Sequence, residues 1–251
     1  MLSHSLKKLF ISSVAISALI SSSAMATVVI FNTSHGDIEV NLFDQTTPIT
    51  VENFLGYVND GSYDNTVIHR SIKGFITQGG GFRFEGELPL TRVANKAAIQ
   101  NEPVYSSRRG TIAMAKLSDN ENSATNQWFF NLANNSANLD IQNGGFTVFG
   151  QITDEGMKVV DLIADLPTCS ETPMPNIDCS NIGTPGVENF VTITNVTITD
   201  TSITSASGLS PRENALIKVK DKVKESSGGS FHWFLLLPLA LLRSFKKKKI
   251  N

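Results

Sequence analysis

The run from Thr66 to Phe82, Thr-Val-Ile-His-Arg-Ser-Ile-Lys-Gly-Phe-Ile-Thr-Gln-Gly-Gly-Gly-Phe, limits what this chain can fold into more than any other stretch. A charged Arg70 sits between two short apolar runs, and the pattern reads as strand, turn and strand. Alternation along a strand sends Ile76 and Gln78 to one face and Phe75 to the other, unless the strand bends. The glycines Gly79 to Gly81 allow close backbone approach and unusual dihedrals at a strand end.

The elements around this stretch are short. Thr27–Asn32 and Asp37–Phe43 read as two strands joined through Ser34-His35-Gly36, a hairpin signal. Pro48 opens a helix at its first-turn position with Thr47 as the expected N-cap, and Gly61 ends it. Val51, Phe54, Leu55 and Val58 give that helix one apolar face. Further strands are expected at Thr111–Ala115, Gln127–Asn131, Phe146–Ile152 and Val191–Thr199. The loops 83–110, 116–126, 134–145 and 167–187 separate them. A second helix is expected over Glu155–Asp165, capped by Asp154, burying Met157, Val159, Val160 and Ile163. Many short strands with two helices suggest a closed antiparallel barrel, although pattern alone leaves a sandwich open.

Both ends of the chain read as addresses. Residues 1–26 carry Lys7 and Lys8, an apolar run from Leu9 to Ile20, and Ala24-Met25-Ala26, the layout of a secretory signal peptide. The apolar run is far short of the ~20 residues needed to span a bilayer. Thr201–Gly208 is a Ser/Thr-rich linker, and Ser210-Pro211-Arg212-Glu213 has a capping-box pattern, so a short helix to Glu225 is expected within residues 201–227. Residues 228–251 then hold Gly228-Gly229, an apolar run from Phe231 to Leu242, and a basic end from Arg243 to Lys249.

Removing the lysines and arginine of these two ends leaves 14 basic against 23 acidic groups. An acidic body without a basic patch argues against nucleic acid as a partner. The histidines are His4, His35, His69 and His232, and the cysteines are Cys169 and Cys179. No spacing among them suits a metal, so no metal or cofactor is expected. Two cysteines in an exported chain favour one disulfide.

The stretch 66–82, together with Ala113-Met114-Ala115-Lys116, Asn126-Gln127-Trp128-Phe129-Phe130 and Phe146-Thr147-Val148-Phe149-Gly150, closely resembles the cyclophilin family. The resemblance covers roughly residues 27–200. It implies a mainly β fold, an eight-stranded closed antiparallel barrel with a helix over each open end. It also implies a peptidyl-prolyl cis-trans isomerase that needs no cofactor. By match to the family's motif Arg70 is the catalytic arginine, and Phe75, Ile76 and Gln78 are wall and orienting residues. Ala115 and Lys116 belong to a segment whose backbone pairs with substrate, but Lys116 stands where the family often has Asn, so only a backbone role carries over. Gln127 binds substrate backbone, Phe129 floors the proline pocket, and Leu139 and Phe146 complete it. Asn138 stands where some relatives have a tryptophan that contacts cyclosporin. His69 is read as a structural hydrogen-bonding residue. Trp128, Phe130 and Phe149 alternate to the opposite face and belong to the core.

The implied reaction breaks amide conjugation without a covalent intermediate, so it needs no nucleophile or general base. The shortage of histidine and of free cysteine fits that demand. A binding module that holds a proline segment with little turnover is the alternative, and an intact Arg70 favours the enzyme. The order Gly-Gly, short apolar run, basic cluster resembles GlyGly-type sorting tails of Gram-negative bacteria. That resemblance implies a chain exported to the periplasm or cell surface, transiently membrane-anchored and trimmed by a rhomboid-like protease. The implied partners are proline-containing polypeptides and the export machinery, and the protein itself is expected to be a monomer.

Overall fold

The computed structural model describes residues 27–200 and 209–217. The expected signal peptide, the linker 201–208, the helix beyond Ile217 and the sorting tail lie outside the described residues. Strand β1 (Val28–Thr33) and β2 (Gly36–Leu42) form the first hairpin, followed by α1 (Pro48–Asn59), β3 (Thr66–Val67), β4 (Arg70–Ile72) and β5 (Ile76–Gly79). Next come β6 (Phe82–Arg83), β7 (Thr91–Arg92), β8 (Thr111–Met114), β9 (Trp128–Asn131) and a short α2 (Ser136–Leu139). The chain continues through β10 (Val148–Ile152), α3 (Asp154–Ala164), β11 (Thr168–Cys169), β12 (Thr172–Pro173) and β13 (Thr192–Asp200).

Eleven strands join one antiparallel sheet in the order β4-β5-β9-β8-β10-β2-β1-β13-β3-β6-β7, and β11 pairs only with β12. The expected eight-stranded closed barrel is therefore replaced by a curled sheet whose end strands, β4 and β7, do not pair with each other. The physical reason lies in β4, β6 and β7, which are two or three residues long. They extend both edges of the ladder, but are too short to continue it into a closed ring.

The core sits on one face of the sheet beneath both long helices. Phe31 of β1 packs against Phe54 of α1, Trp128 and Phe130 of β9, with ring centroids 4.8–5.8 Å apart. Helix α1 buries Val51, Phe54 and Tyr57, with Leu55 and Val58 partly buried, as its apolar spacing predicts. Its capping differs from expectation. The Thr47 hydroxyl donates to the Phe43 carbonyl, and the first-turn N–H groups of Ile49 and Thr50 donate to the Glu102 carboxylate. Glu102 thus does from a distant loop what a local cap does elsewhere, with a charge that also suits the positive helix end. In α3 the cap is Thr153, whose Oγ1 accepts from Gly156 N–H, while Asp154 and Glu155 occupy the first turn. The Asp154 cap expected from sequence is off by one residue, because Asp is equally at home inside the first turn.

The capping-box pattern at Ser210 does not open a helix. Residues 104–106 take the backbone of this segment instead, with Ser106 N–H donating to the Arg212 carbonyl and Asn214 N–H to the Val104 carbonyl. The helical turn starts after Asn214, whose Oδ1 accepts from Leu216 and Ile217 N–H. Tertiary pairing has overridden a local signal, and Leu209 packs on the same apolar cluster as Phe129.

Candidate active site

Strand register builds the site. Arg70 of β4 lies opposite Gln78 of β5, Gln78 opposite Phe129 of β9, Phe129 opposite Ala113 of β8, and Ala113 opposite Val148 of β10. Directly opposed residues share a face, so one row crosses five strands from a charged edge to an apolar centre. The neighbouring row, Ser71, Thr77, Phe130 and Ile112, faces the other way. Trp128 and Phe130 accordingly enter the main core, while Phe129 joins a second cluster with Ile76, Ala113, Leu139 and Val148. Phe149 also enters the core. The pairing of β10 with β8 carries an irregularity between Val148 and Gly150, beside it.

Phe75 departs from strict alternation. It precedes β5, in the turn after Gly74 at φ +72°, and its N–H donates to the Ile72 carbonyl. That turn brings Phe75 to the same groove as Ile76 and Gln78, the outcome that a bend in the strand permits. The triple glycine has a steric cause. A Cβ on Gly80, at φ +82°, would lie 2.6 Å from the Asn126 carbonyl oxygen, and one on Gly81 2.7 Å from the Gln127 side chain. The turn after β5 must pass this close for Gln78 and Gln127 to meet.

The groove on this face encloses about 420 Å³ and is lined by Arg70, Phe75, Ile76, Gln78, Ala115, Lys116, Phe129, Leu139 and Phe146. Every side chain singled out from sequence for substrate contact reaches it except Gln127. Gln127 stands behind Gln78, accepting from its Nε2 at 2.9 Å. Phe129 and Phe146 meet edge to face at 5.7 Å, and the buried Leu139 belongs to the same apolar cluster. Asn138 and Gln142 also line the rim. Asn138 holds the position that the family resemblance matched to a ligand-contacting tryptophan, whereas Gln142 carried no sequence signal beyond its proximity to Leu139. The Arg70 partner Glu171, 101 residues away, carried no sequence signal at all.

Lys116 is more than a stretch of backbone. Its Nζ donates to the carbonyls of Asn143 and Gly145 at 2.8 and 2.6 Å and lies 4.8 Å from the Phe146 ring centre. Burial lowers its pKa to about 8, against an opposing pull from Glu121. It ties the loop bearing Phe146 to the end of β8. Of the segment Ala113–Lys116, Ala113 and Met114 lie inside the ladder and Ala115 N–H donates to the Gln127 carbonyl. The backbone beyond Ala115 is the part outside these pairings.

His69 takes no position in the groove lining. Its ring packs edge to face on Phe82 at 4.8 Å, and its carbonyl accepts from Thr172 Oγ1. Burial pushes its pKa down to about 4, outweighing polar contacts with Val67 and Gln127 and reinforced by the Arg70 charge. The imidazole is neutral near pH 7. Below the free value of 6.5 the unfolded chain takes up a proton that the folded chain refuses until about pH 4. Stability from this site is therefore complete above pH 6.5 and is lost as pH falls towards 4, by about 3 kcal/mol in all. Denaturant unfolding at pH 7 and pH 4.5 checks this. A His69→Gln variant should show a shallower loss than wild type, and an identical slope would refute the assignment.

Cys169 and Cys179 form a disulfide with Cα atoms 5.3 Å apart, within the usual range for such bridges. Closing a loop of this length stabilises by about 2–3 kcal/mol.

A family model for cyclophilin type peptidyl-prolyl cis-trans isomerases matches residues 28–184. A peptidyl-prolyl cis-trans isomerase of Acinetobacter baylyi is 43% identical over 154 residues, covering 60% of this chain and 79% of the relative. Peptidyl-prolyl cis-trans isomerase B of Escherichia coli is 42% identical over 147 residues, covering 56% and 86%. Among solved structures, a cyclophilin-type isomerase of Cryptosporidium parvum superposes with a TM-score of 0.53 at 24% identity, over 70% of this chain and 99% of that one. That last likeness concerns the fold. With the match spanning most of the sheet, and bacterial relatives above 40% identity, the chain belongs to the cyclophilin-type peptidyl-prolyl cis-trans isomerase family, enzymes that interconvert the cis and trans forms of the bond before proline.

Proposed function

We propose that this isomerase acts on X-Pro bonds of exported polypeptides, with Arg70 stabilising the twisted amide in a reaction that forms no covalent bond to substrate. The barrier for an amide is about 18–20 kcal/mol because resonance must be broken, and prolyl bonds left alone take tens to hundreds of seconds. Rotation frees the nitrogen lone pair and shifts charge on the carbonyl, so a fixed cationic donor can bind the twisted form better than either planar isomer. The observation that carries this reading is the cross-strand row from Arg70 through Gln78 to Phe129, which sets a guanidinium beside an apolar floor. In this reading Phe129, Phe146, Leu139, Phe75 and Ile76 hold the proline ring, Gln78 and Gln127 orient Arg70 and the peptide, and Ala115 with Lys116 offers backbone to the substrate.

The role in export rests on the amino-terminal signal pattern and the Gly-Gly tail, and the disulfide of Cys169 and Cys179 suits an oxidising compartment. The protein is exported as a monomer, anchored briefly by its tail, and trimmed near Gly228-Gly229 by a rhomboid-like protease. Two measurements test the whole reading. Added in catalytic amounts, the full chain should accelerate the proline-limited refolding of an exported protein. Tight binding to a proline peptide without acceleration would favour a mere binding module. Intact mass of the protein from its native envelope should lack residues 1–26 and the residues after the Gly-Gly pair. Recovery of Lys246 to Lys249 as the main species would establish a retained anchor.

A further inference from the structure

The β11–β12 hairpin lies outside the main sheet, yet it reaches the edge strand that carries Arg70. Its turn residues Ser170 and Glu171 sit at φ +50° and +71°, a region that side chains with a Cβ occupy only when their surroundings hold them there. Both sides of the turn are held. Ser71 N–H donates to the Glu171 carbonyl at 2.6 Å, and Thr172 Oγ1 donates to the His69 carbonyl at 2.8 Å. On the far side Cys169 is bridged to Cys179 and buried with Val67, Met174 and Phe190. The Glu171 carboxylate thereby meets Arg70, accepting from its Nε at 2.7 Å. No side chain or carbonyl among the described residues takes Nη1 or Nη2 of Arg70.

We propose that Glu171 is a positioning residue for the isomerase reaction: clamped by the Cys169–Cys179 hairpin, its carboxylate holds the Nε edge of Arg70 and leaves both terminal amino groups for the substrate. The inference rests on Arg70 being the donor to the twisted amide. Stability gives a poor reason for this pair. The two side chains are 37% and 53% exposed, and such ion pairs contribute about 0–1 kcal/mol. Orientation gives a better one. A guanidinium is planar, so a partner on Nε fixes the plane of the remaining fork. Misplacing a reacting group by an ångström costs up to roughly 10²-fold in rate. A segment closed by a disulfide between residues ten apart can supply an arm that reaches the sheet edge from outside the sheet.

The test measures kcat and KM on a proline peptide for the full chain and for Arg70→Ala, Glu171→Ala, Glu171→Gln and the Arg70→Ala/Glu171→Ala pair. Glu171→Ala should lower kcat on the order of tenfold with KM changed less than about twofold, a coupling ordinary for contacting residues. Its unfolding midpoint should match wild type. Glu171→Gln keeps an acceptor oxygen and should recover part of the rate. The double variant should be no slower than Arg70→Ala alone. Reducing the disulfide with dithiothreitol should slow wild type but not Glu171→Ala. The Arg70 Nε–H resonance should lose its protection from exchange in Glu171→Ala. If Glu171→Ala keeps full kcat while Arg70→Ala is slow, the positioning role is wrong and the reading of Arg70 stands. A double variant much slower than Arg70→Ala shows that Glu171 acts on something else, which also overturns it. Full turnover by Arg70→Ala removes both.

Discussion

Arg70→Ala should lower kcat/KM by roughly 10²–10³, the loss of about 2.7–4 kcal/mol expected on removing one preorganised donor from an active site. The residue sits at the charged end of the cross-strand row, on the last strand of the sheet, and lines the groove beside Gln78. Its removal leaves the apolar wall of Phe75, Ile76, Phe129, Leu139 and Phe146 in place. Affinity for a proline peptide should therefore fall by far less than turnover. Arg70→Lys should remain slow, since an ammonium cannot reproduce a fork held by Glu171 on one edge. Stability should barely change, because an exposed ion pair on a three-residue edge strand contributes little. Turnover and peptide affinity measured together on both variants decide the matter. Near-normal turnover in Arg70→Ala would show that the groove works through another group.

How far this site was legible in the sequence depends on whether a feature is local. The floor and walls are local. Alternation in Trp128-Phe129-Phe130 already sorts core from groove, and the ladder places each where alternation sends it. The triple glycine and the helix opened by Pro48 are likewise set by sterics within a few residues. Features made by distant segments were hidden. Glu102 capping α1, residues 104–106 extending the segment around Arg212, and Glu171 meeting Arg70 all join residues far apart in the chain. None leaves a periodic trace. Closure of the sheet was misjudged for a related reason. Very short edge strands such as Thr91–Arg92 are invisible as strands until a neighbour pairs with them. The role of Lys116 shows a third limit. A residue that breaks a family pattern could only be assigned backbone, whereas its ammonium pins two carbonyls of the opposite loop.

Phe129 and Phe130 are adjacent, equally buried and chemically identical, yet they face opposite sides of the sheet. Substituting them separately isolates the groove from the core. Phe129→Leu should raise KM on the order of tenfold, a loss typical of trimming an apolar pocket, and kcat should fall with it because the ring no longer seats the amide against Arg70. Phe130→Leu removes the same atoms from contacts with Phe31 and Trp128. It should destabilise by about 1–3 kcal/mol through imperfect repacking while leaving KM and kcat per folded molecule unchanged. Phe129→Ala is the harsher form. It opens the floor beneath Phe146 and Leu139, and should cost about 3 kcal/mol of stability as well as most of the substrate affinity. Steady-state kinetics corrected for the folded fraction, with denaturant midpoints on the same samples, separate the two effects. If Phe130→Leu raises KM as much as Phe129→Leu, the face of the sheet that binds proline has been assigned wrongly. If neither does, the proline ring rests on the outer wall of Phe75 and Phe146 rather than on the central strand.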